Sequence, residues 1–242
     1  ISRDGWDIQP VTLGTSNLRT SEALLIIQPK KNFLFSEIKA LDEFIKRGKS
    51  VLLMVDAARP VDSLNGLLGK YGLGFENDFL FLNKKDPLAK IYGQNTAVVN
   101  KFEANHKMTK PFTMDSNFVL RLKDTRSVSI NDTSIMEGYT SKTVSFSSQE
   151  NHRVKEVYEV NDLEQINSER IEKGRFAISA TSSNDTKTHK DSSHSRIVVV
   201  GSAFPAINSG FLLTENKDFM ENIFRYLVRE DHLMSVKPKR DL

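Results

Sequence analysis

A chain of 242 residues is one large domain or a domain carrying a sizeable insertion, and 38% hydrophobic with 27% charged residues allows a packed core and excludes wholesale disorder. The formal charge of +3, from 34 basic and 31 acidic residues, is scattered along the chain, so the concentrated basic face that nucleic-acid binding needs is missing. Cysteine is absent, which removes disulfides, thiolate nucleophiles and thiolate metal sites together, and no run approaches the roughly 18 apolar residues that span a bilayer.

The chain opens at Ile1 without a Met or a signal peptide, so a fragment or processed form is expected, incomplete at both ends. Trp6–Leu13 reads as a sheet strand. Ala23–Ile27 (ALLII) and Val51–Val55 (VLLMV) are continuous apolar runs, the pattern of parallel strands covered on both faces. Between them the spacing predicts an amphipathic helix over Ser36–Arg47, with Ile38, Leu41 and Ile45 on one face, Ser36 as N-cap and Gly48 as the stop. This is a βαβ unit. A second helix is predicted over Asp62–Tyr71, where Leu64, Leu67, Leu68 and Tyr71 follow helical spacing and Gly72 ends the run.

From Glu76 to Arg175 the pattern changes to short strand-like pieces: Phe79–Leu82, Thr96–Val99, Phe118–Leu122, Val128–Ile130, Thr143–Phe146 and Val154–Val160, with Phe176–Ala180 just beyond. The stretch Ser179–Ser195 is dominated by Ser, Thr, Asn, Asp and Lys and reads as a surface loop or hairpin tip. Ile197–Val200 is a third buried strand, and Asn216–Arg229 a third helix burying Phe219, Met220, Ile223, Phe224 and Leu227. The expected fold is an α/β protein with an open, doubly wound, mostly parallel sheet and a β-rich insertion. Residues 1–75 and 176–232 form its core, 76–175 the insertion or subdomain, and 233–242 a tail.

Motifs of chemistry are sparse. Gly48-Lys49-Ser50 ends like a phosphate-binding loop, but Glu43 stands where that loop needs glycine, and the segment follows a helix instead of opening one. Gly72-Leu73-Gly74 is a helix stop and a turn. The five histidines, His106, His152, His189, His194 and His232, show no metal-ligand spacing and read as solvated loop residues; no metal and no cofactor is expected. Gly201-Ser202-Ala203 falls short of a nucleophile elbow because Phe204 replaces its second glycine. Parallel topology would bring Gln28-Pro29, Asp56 and Gly201-Ser202 to one edge of the sheet, where open α/β sheets hold ligands. That cleft is the candidate site, against the plainer reading that Asp56 and Ser202 cap turns.

Taken as an ordered series, Leu24–Asp56 (LLIIQPKKNFLFSEIKALDEFIKRGKSVLLMVD), Leu64–Asp78 (LNGLLGKYGLGFEND), Arg196–Leu227 (RIVVVGSAFPAINSGFLLTENKDFMENIFRYL) and Met234–Lys239 (MSVKPK) resemble the auxiliary proteins of gliding-motility-type ABC transporters, the GldG-like family. The likeness is good over residues 18–82 and 174–240 and thin between, and where the family has Gly-Asp after its last strand this chain has Gly201-Ser202. The resemblance implies a fold like flavodoxin or the class I glutamine amidotransferases, and an extracytoplasmic (periplasmic) location with a membrane helix outside these residues. It also implies partnership with the permease and ATPase subunits of the transporter and with other extracytoplasmic proteins, in a homo- or hetero-oligomer. It supplies no catalytic residues; an amidotransferase would need a cysteine nucleophile. Two functions are thus open. One is a non-catalytic interaction or scaffold module of a transporter. The other is a carbohydrate- or peptide-processing enzyme, or a ligand-binding domain, using the cleft at the strand ends. A pocket at the sheet's edge holding a carboxylate near a His or Lys would favour the second.

Overall fold

A computed structural model describes residues 7–14, 18, 20–156, 168–185 and 194–234. The predicted βαβ unit is present as β1 (Ala23–Ile27), α1 (Phe35–Lys46) and β2 (Ser50–Met54), with β1 and β2 parallel. Helix α1 starts one residue before the predicted cap. Ser36 lies in the first turn, and the Glu37 carboxylate accepts a hydrogen bond from the Leu34 N–H at 2.8 Å. At the other end Gly48, with φ of 80°, turns the chain out of the helix. Its N–H reaches the Ile45 carbonyl and that of Lys49 the Phe44 carbonyl, a Schellman closure that needs a left-handed residue. The loop Gly48-Lys49-Ser50 is therefore a helix-to-strand turn.

The rest of the chain runs α2 (Asp62–Leu68), β3 (Leu73–Phe75), β4 (Asp78–Leu82), α3 (Pro87–Tyr92), β5 (Thr96–Phe102), β6 (Leu120–Lys123), β7 (Val128–Ile130), β8 (Thr140–Ser147), β9 (Asn151–Lys155), β10 (Glu172–Lys173), β11 (Ala177–Ser183), β12 (Arg196–Val200), α4 (Asn208–Phe211) and α5 (Thr214–Leu227). The main sheet has seven strands in the order β1-β2-β12-β11-β8-β5-β6. Leu52, Met54, Val198 and Val200 face α5 across one side; Val51, Leu53, Ile197 and Val199 pack with Leu41, Phe44 and Leu64 of α1 and α2 on the other. Burial on both faces is why β2 and β12 are continuous apolar runs.

The sheet is mixed, which corrects the expectation of a mostly parallel one. Two pairings are parallel, β1–β2 and β2–β12, and four are antiparallel, β12–β11, β11–β8, β8–β5 and β5–β6. A parallel neighbour needs a helical crossover laid on the sheet. The strands drawn from residues 96–183 are joined by other kinds of connection, and β5, β6 and β8, from the range read as an insertion, extend the main sheet. The remaining strands of that range, with β3 from just before it, form two small sheets, β10-β9-β4 and β3-β7. Asn151 joins the first of these to the main sheet: its carbonyl oxygen accepts from the Val98 N–H at 3.0 Å while its amide donates to the Thr96 and Phe81 carbonyls. Over the antiparallel half, Phe112 stacks on Phe118, Phe102 meets both at an angle, and Phe112 meets Phe219 of α5.

Two further expectations change. Asp7–Leu13 carries no strand; Pro10 lacks an N–H for a ladder, and Asp7–Thr12 are exposed. The Ser-rich stretch from Ser179 begins as the second half of β11, a central strand, with Ser179 and Ser182 fully buried. The Ser179 hydroxyl pairs across strands with that of Ser145 at 2.5 Å, so polarity does not exclude the segment from the core, although the buried Ser182 hydroxyl has no hydrogen-bond partner among the described residues. Val157–Val160, His189 and the tail beyond Met234 lie outside the described residues. Replacing Ser145 or Ser179 singly by alanine leaves one buried hydroxyl without this partner and is expected to cost about 1–2 kcal/mol. The double variant should cost less than the sum, with a coupling of at least about 0.5 kcal/mol in urea denaturation; strict additivity would show the hydroxyl pair to be energetically irrelevant.

Candidate functional site

The ends of the three parallel strands meet as predicted. Gln28 follows β1 in the left-handed region, with φ of 52°, and its backbone N–H donates to the Met54 carbonyl. That geometry turns its side chain onto Asp56, whose Oδ2 accepts from the Gln28 Nε2 at 2.6 Å. The other carboxylate oxygen accepts the Ala203 N–H at 2.6 Å. Burial pushes the Asp56 carboxyl above the ordinary range, although the Ala203 N–H and the Gln28 amide both oppose the rise. Ser202 is fully buried; its hydroxyl donates to the Lys123 carbonyl at 2.7 Å and accepts the Phe204 N–H at 3.1 Å. Gly201 links backbone to backbone, receiving the Arg126 N–H on its carbonyl at 2.8 Å and donating to the Ile178 carbonyl at 2.9 Å. Pro29 is half-buried beside Gln28.

Sequence reasoning missed the residue on which this edge is built. Arg126 has a fully buried side chain, the largest such in the core. Its Nε donates to the Asp56 carbonyl at 3.0 Å, and its Nη2 donates to the carbonyls of Ala57 and, at 2.6 Å, Arg59. A lone arginine before a short strand carries no sequence signal of that role. Gly201 did carry one: a glycine directly after a buried strand marks close backbone approach, and here a Cβ would lie 1.9 Å from the Arg126 carbonyl oxygen.

The arrangement can orient loops, and its polar atoms are spent doing so. Acyl transfer at Ser202 would need a base on the hydroxyl and a third group to orient that base. Both hydrogen bonds of the hydroxyl go to main chain. His152 sits in β9 against the Phe81 ring, and the His106 Nε2 pairs with Thr181, opposite the middle of β12, at 3.1 Å. No group of His, Asp and Glu suited to a metal ion occurs among the described residues.

The reading of all histidines as solvated loop residues is corrected for His152, which lies in β9 with its Nδ1 buried, and for His106. The His106 ring lies against Tyr226, and among the described residues its buried Nδ1 has no hydrogen-bond partner. Burial, and then the cations Lys142 and Arg196, hold its pKa down to about 4, against the weaker pull of Glu103 and Asp231. The folded protein therefore refuses a proton that the unfolded chain accepts near pH 6.5. The stabilising contribution is complete above about pH 6.5 and is lost as the pH falls toward 4. Wild type should lose stability more steeply across this window than His106→Gln, with a difference approaching about 3 kcal/mol. Parallel curves for the two proteins would exclude His106 as the source. At the carboxyl edge, Arg126→Met keeps volume but strands the Asp56, Ala57 and Arg59 carbonyls, and should cost at least about 3 kcal/mol in urea denaturation at neutral pH. A loss below about 1 kcal/mol would remove Arg126 from its place as organiser of this edge.

Comparison with known proteins agrees with this architecture. Among solved structures the chain is similar to the mmIFT52 N-terminal domain, with a TM-score of 0.64 at 16% identity, covering 100% of this chain and 89% of that one. At that identity the likeness speaks to the fold alone. No curated protein matches the chain. A family described as an ABC-type uncharacterized transport system, the ABC transporter auxiliary family, matches residues 2–222, nearly the whole sequence. The chain belongs to that auxiliary family of ABC-type transport systems.

Proposed function

We propose that the chain is a non-catalytic, extracytoplasmic auxiliary subunit of its transport system, of the gliding-motility (GldG-like) kind. It acts as an interaction module beside the permease and ATPase subunits and is held at the membrane by a helix outside these residues. The observation that carries the reading is that the side chains at the strand ends hydrogen-bond within the protein itself. At the place where open α/β sheets bind ligands, the Asp56 carboxylate, the Ser202 hydroxyl and the Arg126 guanidinium are committed to the protein's own loops. Helices on both faces of the parallel strands support kinship with flavodoxin-like sheets. The family supplies the link to a transporter.

Two experiments test the proposal. Affinity purification of the full-length protein from native membranes should recover the permease and the ATPase in stoichiometric amounts, and their absence would remove the scaffold role. Asp56→Asn and Ser202→Ala should each lower transport only as far as they lower the folded fraction, with a cost of about 1–2 kcal/mol from weakened loop contacts. Abolished transport at unchanged melting temperature and unchanged partner recovery would instead reveal an active site at this edge.

A further inference from the structure

The connection from β1 to α1, Gln28–Leu34, is built to hold two apolar side chains out of the protein. Asn32 ties it to the start of α2: its amide donates to Asp62 at 3.3 Å and its carbonyl oxygen accepts the Ser63 hydroxyl at 3.3 Å. The Phe33 N–H donates to the Ser63 hydroxyl at 2.9 Å, and the Phe33 ring packs against the core under α1 and α2. Glu37 fixes the Leu34 N–H. With Phe33 turned inward and the backbone pinned on both sides, Leu34 and Phe35 stand outward, 68% and 85% exposed. Isolated exposed apolar residues are ordinary. Two adjacent ones at the tip of an anchored loop form a convex apolar point. Leu212, 83% exposed, lies in the connection after β12, at the same carboxyl edge of the parallel strands.

Both signs of charge lie beside the point, and the cations at its base are the ones left without an ion-pair or hydrogen-bond partner among the described residues. Lys30 and Lys31 are exposed and form no ion pair among the described residues, whereas the two nearby acids are engaged, Glu37 by the Leu34 N–H and Asp62 by Asn32. A pocket on a protein partner could take Phe35 without regard to those lysines. An anionic bilayer surface rewards both features at once: apolar side chains enter the headgroup boundary while the lysines remain at the lipid phosphates. We propose that the Lys30–Phe35 loop is a membrane-surface contact that dips Leu34 and Phe35 into an anionic lipid layer, with Lys30 and Lys31 on the headgroups. This goes beyond the scaffold reading and does not rest on it.

The test uses the full 242-residue chain and phosphatidylcholine vesicles with or without about one third phosphatidylglycerol. Trp6 is the sole tryptophan, so Trp6→Phe combined with Phe35→Trp places the reporter at the tip. Anionic vesicles should shift its emission to the blue and allow quenching by brominated lipid, and about 0.5 M salt should reverse both. In co-sedimentation, Leu34→Ser with Phe35→Ser should weaken partition at least about fivefold, and Lys30→Gln with Lys31→Gln by a similar factor or more. Melting temperature should be unchanged in the Leu34, Phe35, Lys30 and Lys31 variants, because these side chains are exposed. Absence of a blue shift, equal binding to vesicles lacking the anionic lipid, or undiminished binding of the serine variant would each overturn the proposal. Recovery of the permease and ATPase is a separate measurement, so failure here leaves the transporter role intact.

Discussion

A guanidinium removed from water must find its acceptors inside the protein, because an unsatisfied buried cation costs several kcal/mol. Arg126 finds them on the main chain just beyond β2, at Asp56, Ala57 and Arg59. Its own backbone bonds to Gly201 beyond β12. One residue thus fixes two strand ends and the segment leading into β7 in a single geometry. The close approach to Gly201 leaves no room for a side chain there, and once Gly201 is placed, Ser202 and Ala203 fall where they meet Lys123 and Asp56. The predicted cleft residues do converge, and they converge on Arg126 and on one another.

The parallel part of the fold was legible because its physics is one-dimensional. Leu24–Ile27, Val51–Val55 and Ile197–Val200 are apolar without alternation, α1 and α5 have regular apolar stripes, and Gly48 and Gly72 stop helices where left-handed backbone is required. Where composition and burial part company, reading failed. Ser179–Ser183 looks like loop sequence, yet the hydroxyl groups of Ser145 and Ser179 satisfy each other across the ladder and let a polar strand enter the core. The mixed sheet was missed for a related reason: pairing direction depends on the connection between strands, and a connection of polar residues does not announce which neighbour it will reach. Arg126 and Asn151 lay beyond sequence reading altogether, since each acts by reaching carbonyls from segments distant in the chain.

The two ends of β12 are secured by different chemistry. At its carboxyl end the contacts around Arg126 and Gly201 are largely to main chain. At its amino end Arg196 forms a bidentate pair with Asp231, at 2.5 and 3.0 Å, and also meets Asp185 at 2.8 Å and the Tyr226 carbonyl at 2.7 Å. Burial raises the Asp231 carboxyl, but bonds from Arg196 and Lys107 outweigh it and hold the group below the usual carboxylate range. The network fastens the end of α5 to the start of β12.

This division bears on how the domain responds to its surroundings. The amino-end network contains groups that titrate, Asp231 on the acidic side of the carboxylate range and His106 just above it, and both favour the folded state only while His106 is neutral and Asp231 charged. At the carboxyl edge Asp56 has the opposite tendency, since its raised affinity for a proton means that burial already disfavours its charge. Acid therefore works against the folded state through His106 and Asp231 and not through Asp56. The exposed loop carrying Leu34 and Phe35 follows β1 at that carboxyl edge. The bonds that hold it, from Asn32, Phe33 and Glu37, are local and are separate from the Arg196 network.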